Sequence, residues 1–231
     1  MKNMHTVTAA QMKQIEKNAF EQGMPYLQMM ENAGTEAYQG IRQRYPKAQS
    51  IAIFIGKGNN GGDGSVIARL AAADGLKVTI ILVEGRPVTH DALLNFELIE
   101  CNDNVTVVDI NELNINGSAA NEPEKNAAAR RPDISTDVAV DALYGTGFHG
   151  ALRESGAKAC ALMNSIGAPV AALDLPSGVN ADTGETAQDA VCADVTFAFD
   201  SYKKLHAIQG SAALCGEIIL ADIGIPEECH V

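Results

Sequence analysis

From residue 51 onward the chain is punctuated by short runs rich in β-branched residues, at 51–55, 78–83, 105–108, 138–143, 169–174, 194–199 and 217–220. Helically patterned stretches separate several of them, notably 62–75, 90–101 and 151–166. Strands that are apolar on both faces and alternate with helices predict a parallel sheet covered on both sides, an α/β architecture. The 231 residues suit one domain of this class. No internal repeat and no linker divides the chain, so one domain spanning 1–231 is expected.

Ahead of the strands, Thr8 and Gln11 form a capping-box pattern, and Met12, Ile15, Ala19 and Phe20 follow at helical spacing up to Gly23. A second helix is predicted from about Pro25, carrying Leu27, Met30, Ala33 and Ile41 towards a core. These two helices read as an extra layer or an oligomer contact. The segment from Asn114 to Thr136 is polar and unpatterned, and is expected to be an exposed, mobile insertion.

A net charge of −12 argues against nonspecific nucleic-acid binding, which relies on clustered Lys and Arg. No apolar stretch approaches the ~18–20 residues that span a bilayer, and the amino terminus lacks the apolar core of a secretory signal. A cytoplasmic protein without membrane or nucleic-acid partners is expected. The 5 cysteines have no C-x-x-C spacing and read as buried reduced thiols.

Ligands of an open parallel sheet sit outside the carboxyl ends of its strands. Three predicted strands end in glycine-rich, oxygen-bearing turns: GKGNNGGDG after 51–55, LYGTGFHGALRE after Asp141, and LPSGVNADTG after Asp174. Their convergence on one rim is the main functional expectation. Gly56, Gly58 and Gly61 spell G-x-G-x-x-G, which alone is weak evidence for phosphate binding. A helix from Gly62 would add the positive end of its dipole. Asn59, Asn60 and Asp63 are either turn formers or ligand contacts. Asn60, Asp141 and Ser177 offer the oxygen-only donors that hard cations prefer. Asp174, at a strand end before Pro176, is the candidate for acid/base work. Glu84 reads as a solvated strand end, and Arg153, Lys203 and Lys204 as surface charges.

MMENAG at 29–34, GKGNNGGDG at 56–64, VDALYGTGF at 140–148 and LDLPSGVNADTG at 173–184 occur in that order. Together they resemble the NAD(P)H-hydrate epimerases of the YjeF amino-terminal domain family. The resemblance covers nearly the whole chain. It implies a Rossmann-like three-layer αβα sandwich with a mostly parallel central sheet and two extra amino-terminal helices. It also implies a homodimer with one potassium ion (K+) per subunit, held by Asn60, Asp141 and Ser177. Asn59, Asn60, Gly61, Gly62 and Asp63 would contact the hydrated dinucleotide, NADHX or NADPHX. Gly145, Thr146, Gly147, Phe148, His149, Gly150 and Ala151 would wrap it, with Asp174 as the catalytic contact at the reacting end. The chain would interconvert the R and S epimers in nicotinamide cofactor repair. Because it ends at Val231, dehydration would fall to a separate NAD(P)H-hydrate dehydratase. Two departures from the family pattern bear on phosphate contacts: Lys57 stands where many relatives have proline, and the Arg that often follows GTG is missing. An NAD(P)-dependent dehydrogenase and a noncatalytic binding scaffold are the competing readings.

Overall fold

The computed structural model describes residues 6–113 and 134–230; of the insertion expected at 114–136, residues 114–133 lie outside them. The chain opens with β1 (Thr6–Val7), α1 (Ala9–Glu21) and α2 (Tyr26–Arg44). It continues through β2 (Ser50–Ile55), α3 (Asn59–Ala73), β3 (Lys77–Leu82), α4 (His90–Glu97) and β4 (Val105–Asp109). Then come β5 (Val138–Ala142), α5 (Glu154–Ser165), β6 (Val170–Leu173), β7 (Val195–Phe199), β8 (Tyr202–Lys203), α6 (Ala212–Cys215) and β9 (Glu217–Ala221).

Every run expected to be a strand forms one. They make a seven-stranded sheet in the order β4-β3-β2-β5-β6-β7-β9, and every neighbouring pair is parallel. The chain enters at β2, runs outward to β4, then returns to β5 beside β2 and runs out the other way. That reversal leaves a crevice outside the carboxyl ends of β2 and β5. Here Phe54 is in register with Asp141 and Ile55 with Ala142.

Both faces of the sheet are covered, which is why its strands are apolar throughout. One core joins Ile51, Ile53, Ile80 and Val140 to residues of α1, α2 and α3; the other joins Ala52, Phe54 and Ala139 to Ala159, Cys160 and Met163 of α5. The amino-terminal helices therefore extend one helical layer and add no further layer. The capping box is present: Gln11 N–H donates to Thr8 Oγ1 at 3.1 Å and Thr8 N–H to Gln11 Oε1 at 2.9 Å. Met12, Ile15 and Ala19 are buried as expected, but Phe20 is 50% exposed and Leu27 39%. Phe20 stacks on Tyr26 at the outer corner between the two helices. Cys160, Cys215 and Cys229 are buried, whereas Cys101 and Cys192 are exposed. Among the described residues no helix is long and apolar enough to cross a membrane.

The helix α3 starts at Asn59, before the expected Gly62, because a run of Asn and Gly has low intrinsic helix propensity and reads as loop. Packing overrides propensity here. A Cβ on Gly64 would stand 2.6 Å from Ala142 Cβ, while one on Gly61 would meet the Gly56 carbonyl and one on Gly62 the Met30 sulfur. The glycines let α3 lie close on β2 and β5, which brings its first turn to the crevice.

Candidate active site

A cavity of about 560 Å³ opens at this crevice. Of the residues expected to bind a ligand, Asn59, Asn60, Asp63, Gly145, Thr146, Gly147, Phe148, His149, Ala151 and Asp174 line it. Gly61, Gly62 and Gly150 do not; the first two face the protein contacts just described. Asp141 and Ser177 form a layer behind the lining. Ser177 N–H and Oγ donate to the two Asp141 carboxylate oxygens at 2.7 and 2.6 Å, and Ser177 Oγ accepts from Tyr144 N–H at 2.9 Å. The turn after β5 is thereby tied to the turn after β6. Asn60 meets the same turn: a Cβ on Gly145 would lie 3.7 Å from Asn60 Cβ and Cγ and from Asp174 Oδ2.

Charge is graded across the cavity. Lys57 and Asn59 are exposed at its edge, as is Arg153 with 81% of its side chain in solvent. Asn60, Asp63 and Asp174 are each only 8% exposed. Burial pushes the Asp63 carboxyl well above the usual range, and repulsion from Asp174 and Glu16 adds to it. The fully buried Asp141 is pushed up to about 6 by loss of hydration, against the pull of its Ser177 and Leu143 donors.

Asp174 has φ of 66°, a left-handed conformation that Asp tolerates better than most residues. Its N–H donates to Phe197 O at 2.8 Å, anchoring the turn to β7. Such a conformation costs roughly 1–3 kcal/mol and persists only where its surroundings over-determine it.

Glu16 and Glu84 in the cavity wall, and Lys203 and His206 behind it, fall outside the sequence expectation. Lys203, expected as a surface charge, is 1% exposed; its ammonium pairs with Asp174 and donates to Phe199 O at 2.7 Å. Its placement follows from β8, which pairs with β1 and places Lys203 beside the end of β7. His206 Nδ1 accepts from Lys203 N–H at 3.1 Å, and burial pushes the ring down to about 4. Glu84, expected to be solvated, lines the cavity and accepts from Tyr144 Oη at 2.9 Å, with Arg153 3.6 Å away. Glu16 reaches the cavity from α1. Its position beside the stripe Met12–Ile15–Ala19 was a usable signal, since residue 16 follows Met12 by one turn.

Residues 26–205 match the family described as YjeF-related protein N-terminus. The chain belongs to that family. Among relatives of this YjeF-type domain, the NAD(P)H-hydrate epimerase of Nitrosopumilus maritimus is 34% identical, with 97% of each chain covered. The bifunctional NAD(P)H-hydrate repair enzyme Nnr of Pyrobaculum aerophilum is 36% identical over 99% of this chain. The chain spans 43% of that longer protein. The crystal structure of yeast ynu0 shares the fold, with a TM-score of 0.69, 23% identity, and coverage of 88% of this chain and 84% of that one.

Proposed function

We propose that this chain is an NAD(P)H-hydrate epimerase acting on NADHX and NADPHX. The observation that carries the reading is the graded cavity. An exposed rim bearing Lys57, Arg153 and the first turn of α3 suits a diphosphate, since a helix N-terminus attracts anions by about 0.3–1 kcal/mol. An inner end with the buried Asp63 and Asp174 and the half-buried Glu16, backed by Lys203, suits a ring that becomes cationic. In the substrate a hydroxyl sits on a carbon next to the ring nitrogen. Expulsion of that hydroxyl as water, driven by the nitrogen lone pair, gives a planar iminium ion. Return of water to the opposite face inverts the centre. Asp174 is the carboxylate at the reacting end, and Lys203 offsets its charge and fixes its orientation.

Asn60, Asp141 and Ser177 suit a potassium ion. Asp141 meets no Lys, Arg or His among the described residues. Its three N–H and O–H donors use three of about four carboxylate lone-pair sites. The Asn60 side chain makes no side-chain hydrogen bond among the described residues, its amide nitrogen being buried without a partner, so its oxygen is free to turn towards an ion. The ion would supply positive charge beside the turns and hold them in place. Replacing potassium with tetramethylammonium is expected to weaken dinucleotide binding measured by calorimetry. Unchanged affinity removes the ion from the site.

The decisive experiment supplies the R hydrate to a dehydratase that accepts only the S form. Adding this protein should accelerate recovery of reduced cofactor, read by its absorbance. No acceleration, with production of reduced cofactor from NAD and an alcohol instead, would favour a dehydrogenase.

A further inference from the structure

We infer that Glu16 is a second acid/base group of this site, working with Asp174 so that one carboxyl serves each face of the nicotinamide ring. The inference deepens the epimerase reading and rests on it. Inverting a centre through a planar cation requires a proton donor where the hydroxyl leaves and an acceptor where water returns. Glu16 is the one residue of α1 or α2 that lines the cavity, and it comes from a different element than Asp174 at the end of β6. Among the described residues its carboxyl makes no ion pair and takes no hydrogen bond, so it is free for a ligand. The charged groups that act on it are Asp174 in the cavity wall, Lys203 and Asp200 after β7, and Lys13 on its own helix; it acts in turn on Asp63 of α3.

Burial, with repulsion from Asp174 second, pushes the Glu16 carboxyl up to about 7. Near neutral pH a substantial share of Glu16 therefore carries a proton, and Asp174 faces the Lys203 ammonium. A carboxyl that can hold a proton, beside a second carboxyl held by an ammonium, can divide acid and base roles with it. In one direction the carbon–oxygen bond breaks and the hydroxyl leaves as water with the Glu16 proton. A water then bonds to the opposite face of the iminium carbon and gives its extra proton to Asp174. The transferred proton returns to Glu16 through solvent. The reverse reaction exchanges the two roles, so the active enzyme holds one proton on the pair.

The test measures epimerisation by wild type, E16Q and E16D between about pH 6 and 9. Wild-type activity should fall as pH rises through about 7, because the Glu16 proton is lost. E16Q should lower kcat about 10²-fold with little change in KM, and its residual rate should no longer fall through that range. E16D should regain part of the rate and restore the decline. Folding is checked by melting at alkaline pH. A raised folded-state pKa contributes stability below the unfolded value of 4.5 that is lost as pH rises through about 7. Glutamine escapes that loss, so E16Q should melt no lower than wild type there. An active wild type with E16Q equally active, or with the decline intact in E16Q, overturns the assignment of Glu16 alone. A wild type inactive on both epimers overturns the epimerase reading and this inference with it.

Discussion

Replacing Lys203 with methionine is expected to destabilise the protein by about 3–5 kcal/mol, because it strands the Asp174 carboxylate in a buried site. Lys203 is 1% exposed and Asp174 has 11% of its side chain in solvent, so water cannot take over the lost contact. The loss extends beyond one pair. The Lys203 charge also opposes the upward push on the Glu16 and Asp63 carboxyls, so its removal leaves three acidic groups without their shared cation. A fall in melting temperature of about 6–20 °C follows for a domain of this size. The double variant K203M/D174N separates charge from shape. Deleting both partners of a buried pair leaves no orphaned charge and is often nearly neutral, so the double variant should recover most of the lost stability. It should recover no epimerisation. K203M melting within about 2 °C of wild type would remove the pair from the account of this site.

The same residue shows why the site was only partly legible from the chain. The strands could be read because a strand buried on both faces needs apolar residues at every position, a local and redundant signal. The reversal between β2 and β5 then placed the glycine turns, Asp141 and Asp174 on one rim. Lys203 carried the opposite local signal: two adjacent lysines after an aspartate look like solvated surface. Its burial depends on Asp174, 29 positions earlier in the numbering, and on the pairing of Tyr202 with Thr6. Neither link leaves a periodicity, and two-residue strands are too short to show one. Glu84, and in part Glu16 despite its place one turn after Met12, escape the sequence for a related reason. Each lies at the edge of an apolar pattern, and only the assembled cavity shows which edge faces a ligand. The helix α3 starts earlier than its sequence suggests because Asn and Gly weaken a helix in isolation, while close contact with Ala142 and Met30 requires those small residues in place.

Asp174→Asn should reduce epimerisation about 10³–10⁴-fold while leaving the protein folded, because the substitution removes the charge and the proton acceptor together. The choice of asparagine follows from the backbone. At φ of 66° most side chains are disfavoured, but Asn tolerates the left-handed region as Asp does. The hydrogen bond from residue 174 N–H to Phe197 O survives. An amide oxygen still accepts from Lys203 but the buried ammonium loses its counter-charge, so the stability loss should approach the ~3–5 kcal/mol of a broken buried pair. Asp174→Gly provides the converse control. Glycine adopts this conformation without steric penalty, so the backbone term improves while the carboxylate is again lost. If Asp174 acts through chemistry, the two variants should be equally inactive despite their different stabilities. If it acts only by shaping the turn, activity should follow stability, and an Asn variant retaining a large part of the wild-type rate would end the catalytic assignment.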